Sequence, residues 1–176
     1  NKKIRYYNAC TSECFGETKN LLADESTKFH PRSPYGSAKA AVFELVRHYR
    51  ENYNLFASSG IAFNHESPLR TNRFVMQKII IGAKNIVQEK IPYLELGELD
   101  VSRDWGWAPE YVNAMYKILQ HEIPDDFVLA TGRSTSLKEV VEMVFQILDL
   151  EWSDYVRTSA SYVRPSEIRV SAGCAE

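Results

Sequence analysis

Ile4-Arg5-Tyr6-Tyr7-Asn8-Ala9-Cys10-Thr11-Ser12-Glu13 decides how this chain is read. Residues 4–10 form a run of β-formers, and the run ends abruptly in two hydroxyls and a carboxylate. In an open α/β sheet the crevice at the carboxyl ends of the strands is where ligands bind. A strand that delivers Thr11, Ser12 and Glu13 to its end therefore suits a site of that kind. The plain alternative for Thr-Ser-Glu is a turn with a capping hydroxyl. The segments that follow alternate in the same way, which predicts a parallel sheet covered by helices.

Tyr35-Gly36-Ser37-Ala38-Lys39 follows Pro34, and Pro34 opens a predicted helix that runs to about Asn52. Positions i and i+4 stack on one helix face, so Lys39 is expected beneath the Tyr35 hydroxyl. A phenol with a pKa of about 10 is a poor base near neutral pH. A neighbouring ammonium favours the phenolate. The pair reads as a device for removing an alcohol proton, or, alone, as a surface Tyr and Lys. The apolar positions Ala38, Ala41, Val42, Leu45, Val46 and Tyr49 recur at helical spacing and give that helix its amphipathic stripe.

Further along, Leu55 to Phe63 reads as a buried strand delivering Asn64 and His65 to its carboxyl end. Helices are predicted over Phe74 to Gln88 and Pro109 to His121, with a short strand at Phe127 to Ala130. Ser136-Leu137-Lys138-Glu139 has the form of a capping box. It precedes a helix whose stripe is Leu137, Val140, Val141, Val144, Phe145 and Leu148. There is no internal repeat and no low-complexity segment.

Composition narrows the function classes. The 176 residues suffice for one respectable core, and 44% hydrophobic with 25% charged residues is ordinary for a globular protein. A formal net charge of -2 gives no electrostatic reason for nucleic acid or an anionic membrane as partner. No apolar run reaches membrane-spanning length, and no signal-peptide pattern opens the chain. Cys10, Cys14 and Cys174 are expected as reduced thiols in a cytoplasmic protein. The four histidines are scattered, and no metal site is expected.

The chain resembles the GDP-mannose 4,6-dehydratase family of the extended short-chain dehydrogenases/reductases. The residues that carry the likeness are YNACTSECFG (7–16), PRSPYGSAK (31–39), FNHESPLR (63–70), LGELDVSRDWGWAPEYVNAM (96–115), FVLATG (127–132) and VRPSEI (163–168). Asn64-His65-Glu66-Ser67-Pro68 with Arg103-Asp104-Trp105-Gly106 is its narrowest part. The resemblance implies an α/β fold, the C-terminal part of a Rossmann-like parallel sheet with a smaller α/β sugar-nucleotide-binding region. Residues 1–66 would be the later part of an NADP-binding domain and 67–176 mainly the sugar-nucleotide region. A segment near 104–121 would return to the first. The eight glycines provide no Gly-rich phosphate turn. The likeness thus implies that roughly the first third of the enzyme lies outside this sequence. Such a chain is expected to bind NADP weakly and to expose a sheet edge.

By the same likeness Thr11, Glu13, Tyr35 and Lys39 would be catalytic, and Ser12 a helper or a structural residue. Tyr35, Lys39, His65 and Arg70 would meet NADP. Asn64, Lys78, Arg103, Arg164 and Glu167 would meet GDP-mannose, or else be solvated charge. Gln77 stands where many relatives carry Arg, which would weaken one contact. Trp105 and Trp107 are expected as buried aromatics, with stacking on a base as the alternative. The implied reaction makes GDP-4-keto-6-deoxymannose by internal hydride transfer and loss of water, in a homodimer or homotetramer. Two other readings remain: a sugar-nucleotide epimerase or reductase, which has no use for Glu13, and an inactive binding or oligomerisation fragment.

Overall fold

A computed structural model describes residues 4–18, 22–162 and 168–174. In chain order the elements are β1 (Arg5–Thr11), a 3₁₀ turn (Ser12–Cys14), α1 (Pro34–Tyr53), β2 (Phe56–Ala62) and β3 (Asn64–Glu66). Then come α2 (Val75–Val87), β4 (Leu94–Leu96), β5 (Ser102–Trp107), α3 (Ala108–Gln120) and β6 (Asp126–Leu129). The last are β7 (Ser134–Ser136), α4 (Leu137–Ile147), α5 (Trp152–Tyr155), β8 (Val156–Thr158), a second 3₁₀ turn (Ala160–Tyr162) and β9 (Val170–Ser171).

β1, β2 and β6 form a parallel sheet in that order. The register pairs Thr11 with Ala62 and Ala62 with Leu129, so all three strands end level. That common end is where Thr11 hands over to the 3₁₀ turn and Ala62 to Phe63 and β3. The parallel order follows from the connections, since α1 crosses from β1 to β2 and α3 lies between β5 and β6. A second sheet is built on β5, which pairs β3 and β9 in parallel and β7 antiparallel. β4 pairs β8 separately.

Two apolar clusters hold these layers. Cys10, Cys14, Phe15, Ile61 and Phe63 pack under the first sheet's carboxyl end, joined by Phe29 and Phe43. Ile79, Ala83, Leu96, Val141 and Phe145 join α2, α4 and β4. Each buried side chain of this size stabilises by about 1.5–3 kcal/mol. The box predicted at Ser136 forms: its hydroxyl accepts from Glu139 N, and Glu139 accepts from Ser136 N. Leu137, Val140, Val141 and Phe145 are buried as expected, whereas Leu148 at the helix end is exposed.

α1 departs from its predicted orientation. Gly36 and Val46 are buried and Ala40 and Phe43 face the core, but Val42, Leu45 and Tyr49 are 40%, 57% and 48% exposed. The inward face is thus rotated from the apolar stripe. Polar contacts decide that rotation. At its far end Arg50 reaches Asp126 of β6 through two bonds of 2.9 and 2.6 Å and also donates to the Ala57 carbonyl at 3.1 Å. Trp107, expected to be buried, is 50% exposed, while Trp105 donates its Nε1–H to the Thr135 carbonyl.

The Arg50–Asp126 pair is only 13% and 12% exposed. Removing one partner leaves the other as a nearly buried, unpaired ion, at a cost of about 3 kcal/mol. Asp126→Ala is therefore expected to lower the urea midpoint by that equivalent. Arg50→Met/Asp126→Leu, which removes both charges, is expected to recover most of the loss.

Candidate active site at the carboxyl end of the parallel sheet

Thr11 is the last residue of β1, and its Oγ1 accepts the Glu13 N–H at 3.4 Å. This closes the turn that carries Ser12, Glu13 and Cys14. The turn is locked from several sides. His30 N–H donates to the Cys14 carbonyl at 2.9 Å, and Phe15 N–H to the Ser12 carbonyl at 3.0 Å. Ser12 is buried at 6% exposure.

α1 begins directly against this turn. Ser33 caps the helix, accepting the Gly36 N–H on its Oγ at 3.0 Å. The same hydroxyl donates to Glu13 Oε2 at 2.7 Å. A Cβ on Gly36 would lie 2.8 Å from the Glu13 carbonyl oxygen and 3.2 Å from Pro31 Cβ, so only glycine lets helix and turn approach this closely. Tyr35, one position earlier, is 53% exposed. Lys39 Nζ lies 5.8 Å from the centre of the Tyr35 ring and donates to the Ala9 carbonyl at 2.8 Å. Thr11, Glu13, Tyr35 and Lys39 are thus gathered around one helix start and one strand end.

Beneath them lie Cys10 and Cys14, with sulfurs 3.6 Å apart. The contact with the Cys10 sulfur, and then burial, push the Cys14 thiol well above its ordinary range. Cys14 lies 3.7 Å from the Gly36 carbonyl. Among the described residues no group of three or more His, Cys, Asp or Glu is placed to hold a metal ion.

His65, in β3, points Nδ1 at the Phe63 carbonyl at 2.8 Å. A carbonyl only accepts, so Nδ1 carries a proton. The ring stacks on Tyr111 of α3 at 4.8 Å between centres. Arg70 donates to the His65 carbonyl at 3.1 Å, lies 3.3 Å from Glu66 Oε2 and covers the Phe74 ring at 3.7 Å. That ion pair lacks hydrogen-bond alignment. Burial raises the Glu66 carboxyl, with Arg70 opposing the shift.

The remaining sequence candidates are more dispersed. Asn64 starts β3 opposite Trp105. Lys78 Nζ sits 3.6 Å over the Tyr162 ring. Arg103 donates to the Ser102 carbonyl at 2.9 Å. Gln77 donates to the Ser67 carbonyl at 3.1 Å, which ties α2 to the loop after β3. Arg164 and Glu167 lie outside the described residues. Two hollows lie elsewhere, one bounded by Gly97–Asp100, Lys138 and Trp152, the other along α1; neither includes Glu13 or Tyr35.

Two residues of consequence escaped the reading of the sequence. Ser33 carried a legible signal, a serine just before the Pro that starts a helix. Asp104 did not. It is fully buried and accepts from Thr131 N (2.9 Å), Thr131 Oγ1 (2.7 Å) and Gly132 N (3.0 Å). It anchors β5 to the loop after β6.

A sequence profile for the family described as GDP-mannose 4,6 dehydratase matches residues 1–176. GDP-mannose 4,6 dehydratase of Drosophila melanogaster is 42% identical over 189 residues, covering 98% of this chain and 48% of that protein. GDP-mannose 4,6 dehydratase 2 of Arabidopsis thaliana is 45% identical over 167 residues, covering 95% and 44%. This chain belongs to the GDP-mannose 4,6-dehydratase family. It spans about half the length of the curated relatives it matches.

Solved structures agree on the fold. The structure of RMD from Pseudomonas aeruginosa, complexed with NADPH, matches with TM-score 0.87 at 22% identity, over 98% of this chain and 58% of that one. A dTDP-glucose 4,6-dehydratase from Streptomyces venezuelae, with NAD and TYD bound, matches at 0.85 and 20% identity, over 97% and 51%. The expected α/β, Rossmann-like architecture with its parallel strands is therefore the fold of this family member.

The close approach at Gly36 makes a specific demand on the site. In Gly36→Ala the new methyl must push the Glu13 backbone away from α1. The substitution is expected to cost about 1–3 kcal/mol and to lower turnover as well. Thermal melting and steady-state kinetics of the full-length protein check both effects.

Proposed function

We propose that the protein carrying this chain is an NADP-dependent GDP-mannose 4,6-dehydratase, a carbon–oxygen lyase that makes GDP-4-keto-6-deoxymannose. The observation that carries this reading is the contact of Glu13 with Ser33 at the start of the helix bearing Tyr35 and Lys39. An epimerase or reductase needs the phenol and the ammonium but has no work for a carboxylate held beside them. Family membership points the same way.

The residues present suit the nicotinamide end of a cofactor. Tyr35 is exposed beside Lys39, and His65 has Nδ1 committed to the Phe63 carbonyl. The eight glycines include no turn of the kind that cradles a pyrophosphate. NADP, when bound, would supply the acceptor for the hydrogen leaving C4 and later return it to C6. Tyr35 takes the proton of the C4 hydroxyl. Lys39 stands beside the ring with its Nζ on the Ala9 carbonyl. The Thr11 hydroxyl, whose lone pair already accepts Glu13 N–H, keeps its own proton to donate to the C4 oxygen.

Once C4 is a ketone the C5 proton is acidic. Glu13 removes it and delivers a proton to the departing C6 hydroxyl, so water leaves and the carboxylate is restored. The overall change is loss of one water, with no net consumption of NADP.

Around this centre, residues 1–66 serve the cofactor and 67–176 mainly the sugar nucleotide, with the segment near 104–121 returning to the first. In support, Arg5 of β1 donates to the Leu119 and His121 carbonyls at the end of α3. Asn64, Lys78, Arg103, Arg164 and Glu167 meet GDP-mannose, with arginine suited to the diphosphate by its planar fork. His65 and Arg70 meet the cofactor. The exposed stripe Val42, Leu45, Tyr49 and Tyr53 on α1 supports association of copies into a dimer or tetramer. No helix among the described residues is long and apolar enough to cross a membrane, and the reaction belongs to the cytoplasm.

The test is a pair of substitutions in the full-length protein. Glu13→Gln keeps the shape but cannot take the C5 proton. It is expected to lower dehydration by about 10²–10⁴-fold and to build up a 4-keto sugar that retains its C6 hydroxyl. Tyr35→Phe is expected to block the first oxidation and give no keto sugar. Product analysis by mass spectrometry separates the two outcomes, and nearly normal turnover by Glu13→Gln would return the epimerase or reductase reading to first place.

A further inference from the structure

We propose that Ser33 is a positioning residue for the elimination step, fixing one oxygen of Glu13 so that the other faces the sugar. The inference rests on the dehydratase reading above. It begins from the hydrogen inventory of a serine hydroxyl, one proton to give and two lone pairs to receive. Gly36 N–H occupies a lone pair at 3.0 Å, and the proton goes to Glu13 Oε2 at 2.7 Å. An O–H···O⁻ bond of that length is in the charge-assisted class, stronger than a bond between neutral partners. Among the described residues Oε1 accepts no hydrogen bond. One carboxylate oxygen is tethered and its twin is left for chemistry.

The tether joins the two halves of the reaction. Tyr35 works at C4 and Glu13 at C5, so the distance between phenol and carboxylate has to match adjacent carbons of one sugar. Two contacts at the start of α1 set that distance: the Ser33 hydroxyl, and the approach that Gly36 allows to the Glu13 carbonyl. Without the serine bond the Glu13 side chain regains rotamer freedom, while Tyr35 and Lys39 keep their places through Lys39 and Ala9. Elimination is then the step that suffers.

A serine at this position also caps a helix, and the test has to separate the two roles. Ser33→Gly does so, because glycine replaces a capping serine at a cost of only a few tenths of a kcal/mol yet has no hydroxyl for Glu13. In the full-length protein Ser33→Gly is expected to lower kcat by about 10–100-fold, with KM for GDP-mannose changed far less. The deuterium isotope effect measured with GDP-[5-²H]mannose is expected to rise above that of the wild type, because C5 deprotonation becomes rate-limiting. Ser33→Thr, which restores a hydroxyl, is expected to recover most of kcat and the original isotope effect.

A loss of kcat without a rise in the isotope effect, or without rescue by Ser33→Thr, would reduce Ser33 to a helix cap and overturn the inference. Glu13→Gln in parallel distinguishes the levels. If it turns over normally, the dehydratase reading itself falls. If it stops elimination while Ser33→Gly keeps wild-type kcat and isotope effect, only the role of Ser33 falls.

Discussion

The junction between the carboxyl end of β1 and the first turn of α1 is the constraint on which the rest of this structure depends. Four contacts converge there: Ser33 with Gly36 N–H, Ser33 with Glu13, Lys39 with the Ala9 carbonyl, and the close approach of Gly36 to the Glu13 backbone. None is strong alone, since a hydrogen bond contributes about 1 kcal/mol net. Together they leave helix and strand a single relative placement. Every group proposed for the chemistry is within two residues of one of these contacts.

That placement explains why α1 turns its apolar stripe outward. A helix tethered by Lys39 near one end and Arg50 at the other has its rotation set by two cations that meet fixed acceptors, the exposed Ala9 carbonyl and the nearly buried Asp126. Gly36, Ala40, Phe43 and Val46 share the face between them. Leaving a nearly buried aspartate unpaired costs more than exposing Val42 or Leu45 at about 25 cal/mol per Å² of surface. The polar anchors win, and an apolar stripe is left on the surface.

The same comparison shows what was legible in the sequence. Long elements with strong local signals were: the strand through Ala9, the helix after Pro34, and the helix capped by Ser136 with its buried Leu137, Val140, Val141 and Phe145. Three-residue strands such as β3, β4, β7 and β8 were not, because so few residues hold no period, and they exist only through partners far along the chain. The face of α1 was misread because hydrophobic periodicity registers apolar residues and is blind to a distant Asp126. Tyr35, Lys39, Thr11 and Glu13 could be picked out by type and motif, but that Ser33 links two of these segments is a fact of three dimensions. Asp104 is the extreme case: it stands in the Arg103–Gly106 motif, but nothing beside it announces its three donors, which come from a loop after β6.

The two groups of candidate residues differ in how they are held, and the difference follows from what each must meet. Around Glu13 and Lys39 the anchors are directional bonds to backbone or to a single hydroxyl, the kind of positioning that proton transfer between specific atoms requires. Lys78 instead rests on the face of Tyr162, and Arg70 on the face of Phe74. Arg70 is held besides by the His65 carbonyl and Glu66, whereas an ammonium held by an aromatic face alone keeps its donors unspent and exchanges partners at a cost of about 0.5–1 kcal/mol when exposed. In the proposed function Lys78 turns toward the diphosphate of the sugar nucleotide while its stem stays packed. The proposed chemistry thus falls where anchoring is directional, at one sheet end and one capped helix, and a proposed charge contact falls where the hold is a ring face.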